Sequence, residues 1–508
     1  MIVTKTEGAA DSASSPVHLT RAQRWAALIV YAGLMLLWLQ HITPSPIIHD
    51  AIGTVVPAVN LKHNGVIALK EPDLPTMYRE PLPILVTALG VTVIDAVHGP
   101  AAPEEYLQGE RAHWLKLQNL FWLTLLCAGA FYVAFQLSGS FVAALVVAVF
   151  GQTIFLYEMG GSRPIDTLYT ELPAAALLIV ASWSFIVGLL RRSPRSLAAS
   201  GGLFALAALV KAAFLYVAIG LLVIIGILAL ARRRAGSMRL GAKELAAFAV
   251  VFGIVLAPWL YRNWVQFGVV SVSERGGLAL YARTLYNDVN AAEYKGSFYV
   301  FAPGPLRGLT GRLLGITSSD LEPGGPLFRL NRTPKWERLN LAAERAGRPE
   351  LATSIVAVGR AERVKLRREF RELGYGQRAD VVADNELKAR ALQRLKAQPL
   401  KTLALTVPIL WRGGLVLLAL FGLTVVHALV RRRYDLLVFC LPAVALTAFY
   451  ALLTTFEPRY SVPMTAIACI GAGIAAHGEW VRSGLSARVR SGERRKRSPR
   501  LRSPVSAS

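Results

Sequence analysis

Charge is scarce in this chain, and acidic charge scarcest. Of 508 residues only 17% are charged, and 32 Asp and Glu stand against 56 Lys and Arg. A soluble protein of this length would be a few domains with about a quarter of its residues charged and the signs near balance. Cysteine is nearly absent. Cys127, Cys440 and Cys469 all lie in apolar stretches, which excludes a disulfide framework or a metal knuckle and leaves small buried hydrophobes. There is no G-x-x-x-x-G-K-[ST] and no G-x-G-x-x-G after a strand, so no soluble nucleotide is bound through those phosphate-cradling loops. The net charge of +24 does not mark a nucleic-acid partner. Its excess sits in short loops and tails beside apolar segments, as the positive-inside bias predicts.

What the chain has in quantity is apolar residues, 54% of the total, gathered in long runs. Stretches 25–42, 171–190, 213–231, 244–261, 436–453 and 461–481 each lack an interior Lys or Arg. About 20 such residues cross a hydrocarbon core of about 30 Å. The pattern predicts an all-α polytopic membrane protein of about 10–11 transmembrane helices. The first run follows Arg21 and Arg24 and is long enough to span, so it reads as a retained signal-anchor, with no cleavable signal peptide. Residues 1–20 and 482–508 read as disordered tails, the latter basic.

Arginine clusters at 191–195, 232–243 and 431–435, with the C-terminal tail, mark the cytoplasmic side. The expected organisation is a transmembrane module over 21–261 with a first outer loop at 43–80. An extracytoplasmic loop domain follows over 262–400, then C-terminal helices over 401–481. That loop holds 23 Lys and Arg against 14 acidic residues, but long loops escape the charge rule. Between the first span and 191–195 the number of crossings must be odd, so one of 81–98, 115–137, 139–157 and 171–190 does not cross. Stretch 81–98 opens Pro81-Leu82-Pro83 and carries Asp95. It is expected to lie in the outer interface or re-enter; the rival is a half-length helix within 115–157. Either way 43–80, 158–170, the Lys211 mouth, 262–400 and 454–460 share one face, the outer face of the cytoplasmic membrane.

Ionisable groups from separate segments collect at that face. Asp50 lies just past the first span, and Arg79 and Glu80 precede Pro81. Glu158, Arg163, Asp166 and Glu171 follow in the second outer segment. Lys211, Arg262 and Asn263, Arg412, Glu457 and Arg459 mark further mouths. Ionisable residues at membrane depth are costly and usually functional, although any single arginine is as readily a snorkelling side chain. Asp95 and His427 read as packing residues, and "GAGIAAHG" as close helix packing.

Together these segments resemble a known family. "TMYREPLPILVTALG", "LYTELPAAALL", "ALVKAAFLY", "APWLYRNWVQFGVVSVSERGGLALY" and "EPRYSVPM" are similar, in order, to motifs of the polyprenyl-phosphate-sugar-dependent glycosyltransferases of the GT-C superfamily. These include bacterial relatives of protein O-mannosyltransferases and of the lipid A aminoarabinose transferase. The likeness covers most of 25–300 and 435–480; the stretch 280–400 resembles nothing familiar. It implies an inverting membrane glycosyltransferase, with the site on the extracytoplasmic face of the inner membrane. Partners would be a polyprenyl-phosphate-linked sugar donor, a glycan, lipid or protein acceptor, and membrane lipid. Asp50 would be the catalytic base, with Glu80, Asp166 and Glu171 as acidic partners. Arg79, Lys211, Arg262 and Arg459 would hold the donor phosphate. The family usually shows an acidic pair in the first loop where this chain has His49-Asp50-Ala51, so the resemblance leaves a divalent metal ion open.

The implied chemistry is physically sound. The anomeric carbon of a sugar phosphate is already activated, so the enzyme must deprotonate an acceptor hydroxyl and stabilise the departing phosphate. Burial is expected to raise the basicity of Asp50, and Arg can grip phosphate in bidentate fashion. The alternatives are a non-catalytic polysaccharide assembly factor and a lipid or sugar transporter. A transporter should show paired halves with broken helices, and these halves are unlike.

Overall fold

The computed structural model describes residues 18–69, 71–153, 163–234, 242–331 and 334–478. Glu158 and the tails at 1–17 and 482–508 lie outside them. The regular structure of the described residues is helical, with one isolated β-bridge between Ala68 and Pro75. In chain order the helices are α1 (Arg21–Gln40), α2 (Ile52–Asn64), α3 (Pro81–His98), α4 (Gly109–Lys116), α5 (Gln118–Ser138), α6 (Phe141–Thr153), α7 (Glu171–Leu190), α8 (Pro194–Val210) and α9 (Ala213–Arg234). Then come α10 (Ala242–Phe267), α11 (Gly276–Leu285), α12 (Ala291–Val300), α13 (Gly304–Leu314), α14 (Pro334–Ala346), α15 (Ile355–Glu372), α16 (Ala379–Ala397), α17 (Pro399–Val430) and α18 (Tyr434–Leu453). A last apolar helix occupies Pro458–Gly478.

Eight of these are long and apolar enough to cross a membrane, and three shorter apolar helices, Phe141–Gly151, Pro194–Val210 and Ala213–Ile227, accompany them. The chain is a polytopic membrane protein. Its outward-facing large side chains on these helices, among them Leu36, Phe121, Ile254 and Val426, are apolar and exposed, as contact with lipid requires. The inner seams use small residues. At Gly201 an added Cβ would stand 2.3 Å from the Phe248 carbonyl oxygen, so α8 and α10 touch backbone to backbone. Gly471 and Gly473, in the small-residue run, similarly admit Thr424 and Val147.

Helix α3 has the length and composition of a span, and its ends are tied to segments that follow α1. Arg111 of α4 donates to the carbonyls of His98 and Gly99, where α3 ends. Five residues later, about 7.5 Å along a helix, Lys116 donates to Thr43 and Ser45 just past α1. Ile47 also donates to the Leu107 carbonyl at 2.7 Å. The C-terminal end of α3 is therefore held near the exit of α1, and its N-terminal end is tied through Arg79 to Asp50, in the turn before α2. Its row Leu85, Leu89, Val93 and Val97 is exposed, the side an interfacial helix offers to lipid.

Residues 276–397 make a helical subdomain. Asp384 of α16 accepts the first N–H groups of α11, from Gly277 at 2.8 Å and Leu278 at 2.9 Å. A Cβ on Gly277 would meet the Asp384 carbonyl at 1.8 Å, so only glycine fits this crossing.

Candidate active site: an aspartate bracketed by arginines

Asp50 is the middle residue of the short turn His49–Ala51 that feeds α2. His49 sits at φ 56°, a left-handed conformation few side chains adopt, and it turns the chain from α1 into α2. The Asp50 carboxylate then meets three guanidinium groups from remote segments. Arg79 lies 2.5 Å from one oxygen and also donates to the Asp50 carbonyl at 3.0 Å. Arg459 bonds the other oxygen. Arg275 lies 3.8 Å away.

This reverses the expectation that burial raises the basicity of Asp50. Burial pulls in that direction, but the charges of Arg275, Arg79 and Arg459, with the Arg459 hydrogen bond, outweigh it. They hold the carboxyl well below the usual carboxylate range.

Arg459 extends the cluster. Its Nε is 3.9 Å from Glu171, whose buried carboxylate takes a 2.9 Å hydrogen bond from Lys211. The guanidinium lies over Tyr169, and the Lys211 ammonium over Tyr460 at 4.6 Å, both in cation–π geometry. Tyr78 stacks against Arg79 at 5.5 Å and Arg275 at 5.1 Å. Glu80 accepts from the Ala212 N–H at 3.1 Å and from Ser273 at 3.4 Å, tying the start of α3 to the Lys211 turn. Asp50, Arg79, Glu171, Lys211 and Arg459 thus form one connected array, with Glu80 beside it.

Two expected site residues are engaged elsewhere. Arg262 donates to the Thr76 carbonyl at 3.0 Å and to Asn263, its guanidinium over Trp259 and Phe267. It fixes the loop leading to Tyr78 instead of facing Asp50, because α10 continues past it to Phe267. Asp166 accepts from Thr43, Ser45 and the fully buried Lys116. It fastens the exit of α1, and its oxygens are occupied. Arg412 binds the Thr455 carbonyl and Glu457, bracing the loop before Arg459. Asp95, read as a packing residue, pairs with His63 at 2.8 Å and with Tyr106.

Arg275 is the member that sequence reasoning missed. It stands just before Gly276-Gly277, and its only signal was being a cation in that loop.

A divalent metal does not fit these side chains. Such ions take six or more oxygen ligands and favour clustered carboxylates. Among the described residues no group of three His, Cys, Asp or Glu side chains is placed to hold one, and the oxygens of Asp50 face three cations.

No protein-family model matches the chain, and no curated protein matches it by sequence. Solved structures do align with it. The archaeal oligosaccharyltransferase AglB from Archaeoglobus fulgidus, in complex with an inhibitory peptide and a dolichol-phosphate, is 14% identical with a TM-score of 0.43. The alignment covers 96% of this chain and 53% of that one, so the chain spans about half the length of AglB. ArnT from Cupriavidus metallidurans aligns in its apo state over 90% of this chain and 78% of its own, at 14% identity and a TM-score of 0.35. The same protein bound to undecaprenyl phosphate gives 89%, 78%, 14% and 0.37. Likenesses this distant assign no activity.

Proposed function

We propose that the protein is a membrane glycosyltransferase that moves a sugar from a polyprenyl-phosphate donor to an acceptor hydroxyl at the outer face of the cytoplasmic membrane. The observation that carries this reading is the bracketing of Asp50 by Arg79, Arg275 and Arg459. Three guanidinium groups around one carboxylate exceed what that carboxylate needs. They suit a phosphate, which Arg binds in bidentate fashion. The apolar belt beside them suits a lipid tail.

Asp50 occupies part of the phosphate's place before the donor arrives. A phosphate entering among the arginines draws them away from the carboxylate, and Asp50 regains basicity as they leave. It then takes the proton of the acceptor hydroxyl. The acceptor oxygen bonds to the anomeric carbon, and the bond from that carbon to the phosphate oxygen breaks with its electron pair leaving on polyprenyl phosphate. The arginines stabilise the charge that develops there. Retention would require a second carboxylate as nucleophile about 5 Å from the first. Glu171, the other carboxylate on Arg459, is buried and held by Lys211, which supports a single displacement with inversion as the proposed course.

Membranes containing the protein should discharge radiolabelled sugar from a polyprenyl-phosphate donor when an envelope extract supplies acceptors, and membranes lacking it should not. Equal loss of label from both would reject the reading. Binding of polyprenyl phosphate without turnover would favour an assembly factor instead.

A further inference from the structure

Helix α15 carries Arg363, Arg367 and Arg371 one turn apart, so their side chains line one face. All three converge on the single carboxylate of Asp380, at 3.9, 3.5 and 3.7 Å. These are ion-pair distances, too long for good hydrogen bonds. Exposure of the three side chains climbs along the helix from 12% to 25% to 50%. The Nε atoms of Arg363 and Arg367 are buried without a hydrogen-bond partner, an arrangement that costs free energy until something accepts from them.

The inner end of this row meets the candidate active site. Arg363 lies 3.2 Å from Glu274 and 5.5 Å from the centre of the Tyr78 ring. Arg275 stacks on the same ring and reaches Asp50. Cations therefore descend in unbroken order from the solvent-facing Arg371, through Arg367, Arg363 and Arg275, to Asp50. A latch holding α15 against α16 would need one arginine for its one aspartate.

We infer that the α15 row is a binding track for an anionic acceptor, a glycan bearing phosphate or carboxylate groups, whose hydroxyl it delivers to Asp50. The inference rests on the glycosyltransferase reading for the word acceptor, but binding to the track does not depend on turnover. Guanidinium groups grip anionic oxygens in pairs, and a row of cations that outnumbers its one carboxylate steers a charged ligand along it. The buried Nε donors supply hydrogen bonds that a neutral glycan matches poorly.

The test places the full chain in phosphatidylcholine nanodiscs without donor and titrates fluorescent oligogalacturonate, an uncharged oligogalactan of equal length, and a polyphosphate chain. The parent should bind at least one anionic probe and not the oligogalactan, with binding weakening as salt rises from about 0.05 to 0.5 M. Arg367→Ala and Arg371→Ala should each weaken it by about fivefold or more, and Arg367→Lys by less, since the charge stays and the fork is lost. Arg390→Ala, on a residue paired with Glu362 and Glu386, should bind like the parent. Equal binding of charged and uncharged oligomers, no binding of either anion, or loss equal in Arg390→Ala would overturn the inference. Circular dichroism of each variant excludes unfolding as the cause. Binding that persists in a protein unable to discharge donor would reject the proposed function while leaving the track intact.

Discussion

Arg459 donates a hydrogen bond to Asp50 across 409 positions of sequence, joining the start of the last helix to the turn after the first. That contact is part of the charge arrangement on which the proposed chemistry depends.

If Arg459 grips the donor phosphate, Arg459→Ala should raise donor KM at least about tenfold, the loss of one charged hydrogen bond. Arg459→Lys should recover only part, because Lys lacks the planar fork. Arg262→Ala should behave differently. Its side chain braces the Thr76 carbonyl, so thermal stability should fall and donor KM should move less than in Arg459→Ala. Equal KM effects would return Arg262 to the phosphate.

Lys116 is fully buried, and its ammonium group donates to the Thr43 and Ser45 carbonyls, the Ser45 hydroxyl and Asp166. Removing one partner of a buried pair strands the other, at about 3–5 kcal/mol. Lys116→Met should therefore lower Tm sharply in detergent, and Lys116→Met with Asp166→Asn should regain part of the loss. A Lys116→Met protein that melts with the parent would show that this fastening contributes little.

Glu274 supplies a pH dependence. Burial pushes its carboxyl up from 4.5 to about 8, with Asp380 and Asp384 adding to the rise and Arg363 opposing it. The folded protein then holds a proton that the unfolded chain has lost, so stability from this group is fully present below about 4.5 and disappears as pH climbs through about 8. Thermal melts should show Tm declining across that window, and Glu274→Gln should flatten the decline. A parent profile as flat as the variant's would contradict the assignment.

Orientation is separable from chemistry. Leu373, 71% exposed in the subdomain, replaced by cysteine should react with an impermeant maleimide in intact spheroplasts, and Arg195→Cys at the other end should not. The reverse labelling would put the site on the cytoplasmic side.

The apolar runs made the spans legible, because lipid demands about 20 apolar residues wherever a helix crosses. The odd-crossing count required one of four stretches not to cross, and Pro81-Leu82-Pro83 with Asp95 made 81–98 the choice; in the structure that helix is tied at both ends to segments that follow α1. Legibility stopped at pairing. Asp50 and Arg459 each stood out as charges beside lipid, yet nothing local links positions so far apart. Arg262 and Asp166 stood out for the same reason and are absorbed by Thr76 and by Lys116. Lys116 gave no signal, since a lysine between apolar runs reads as a boundary and not as a buried donor. The α15 row was hidden among the 23 basic residues of its loop, because only the fold places Asp380 opposite all three.

The central claim is that Asp50 acts as the base while the arginines hold the phosphate, and Asp50→Asn separates the two. Asparagine keeps the size and some hydrogen bonding, removes the basicity, and no longer competes with phosphate for the guanidinium groups. In proteoliposomes carrying labelled donor, Asp50→Asn should bind donor at least as tightly as the parent while turnover falls by about 10²–10⁴. A folded, donor-binding Asp50→Asn protein that turns over within about threefold of the parent, far short of what losing a base removes, would contradict the account.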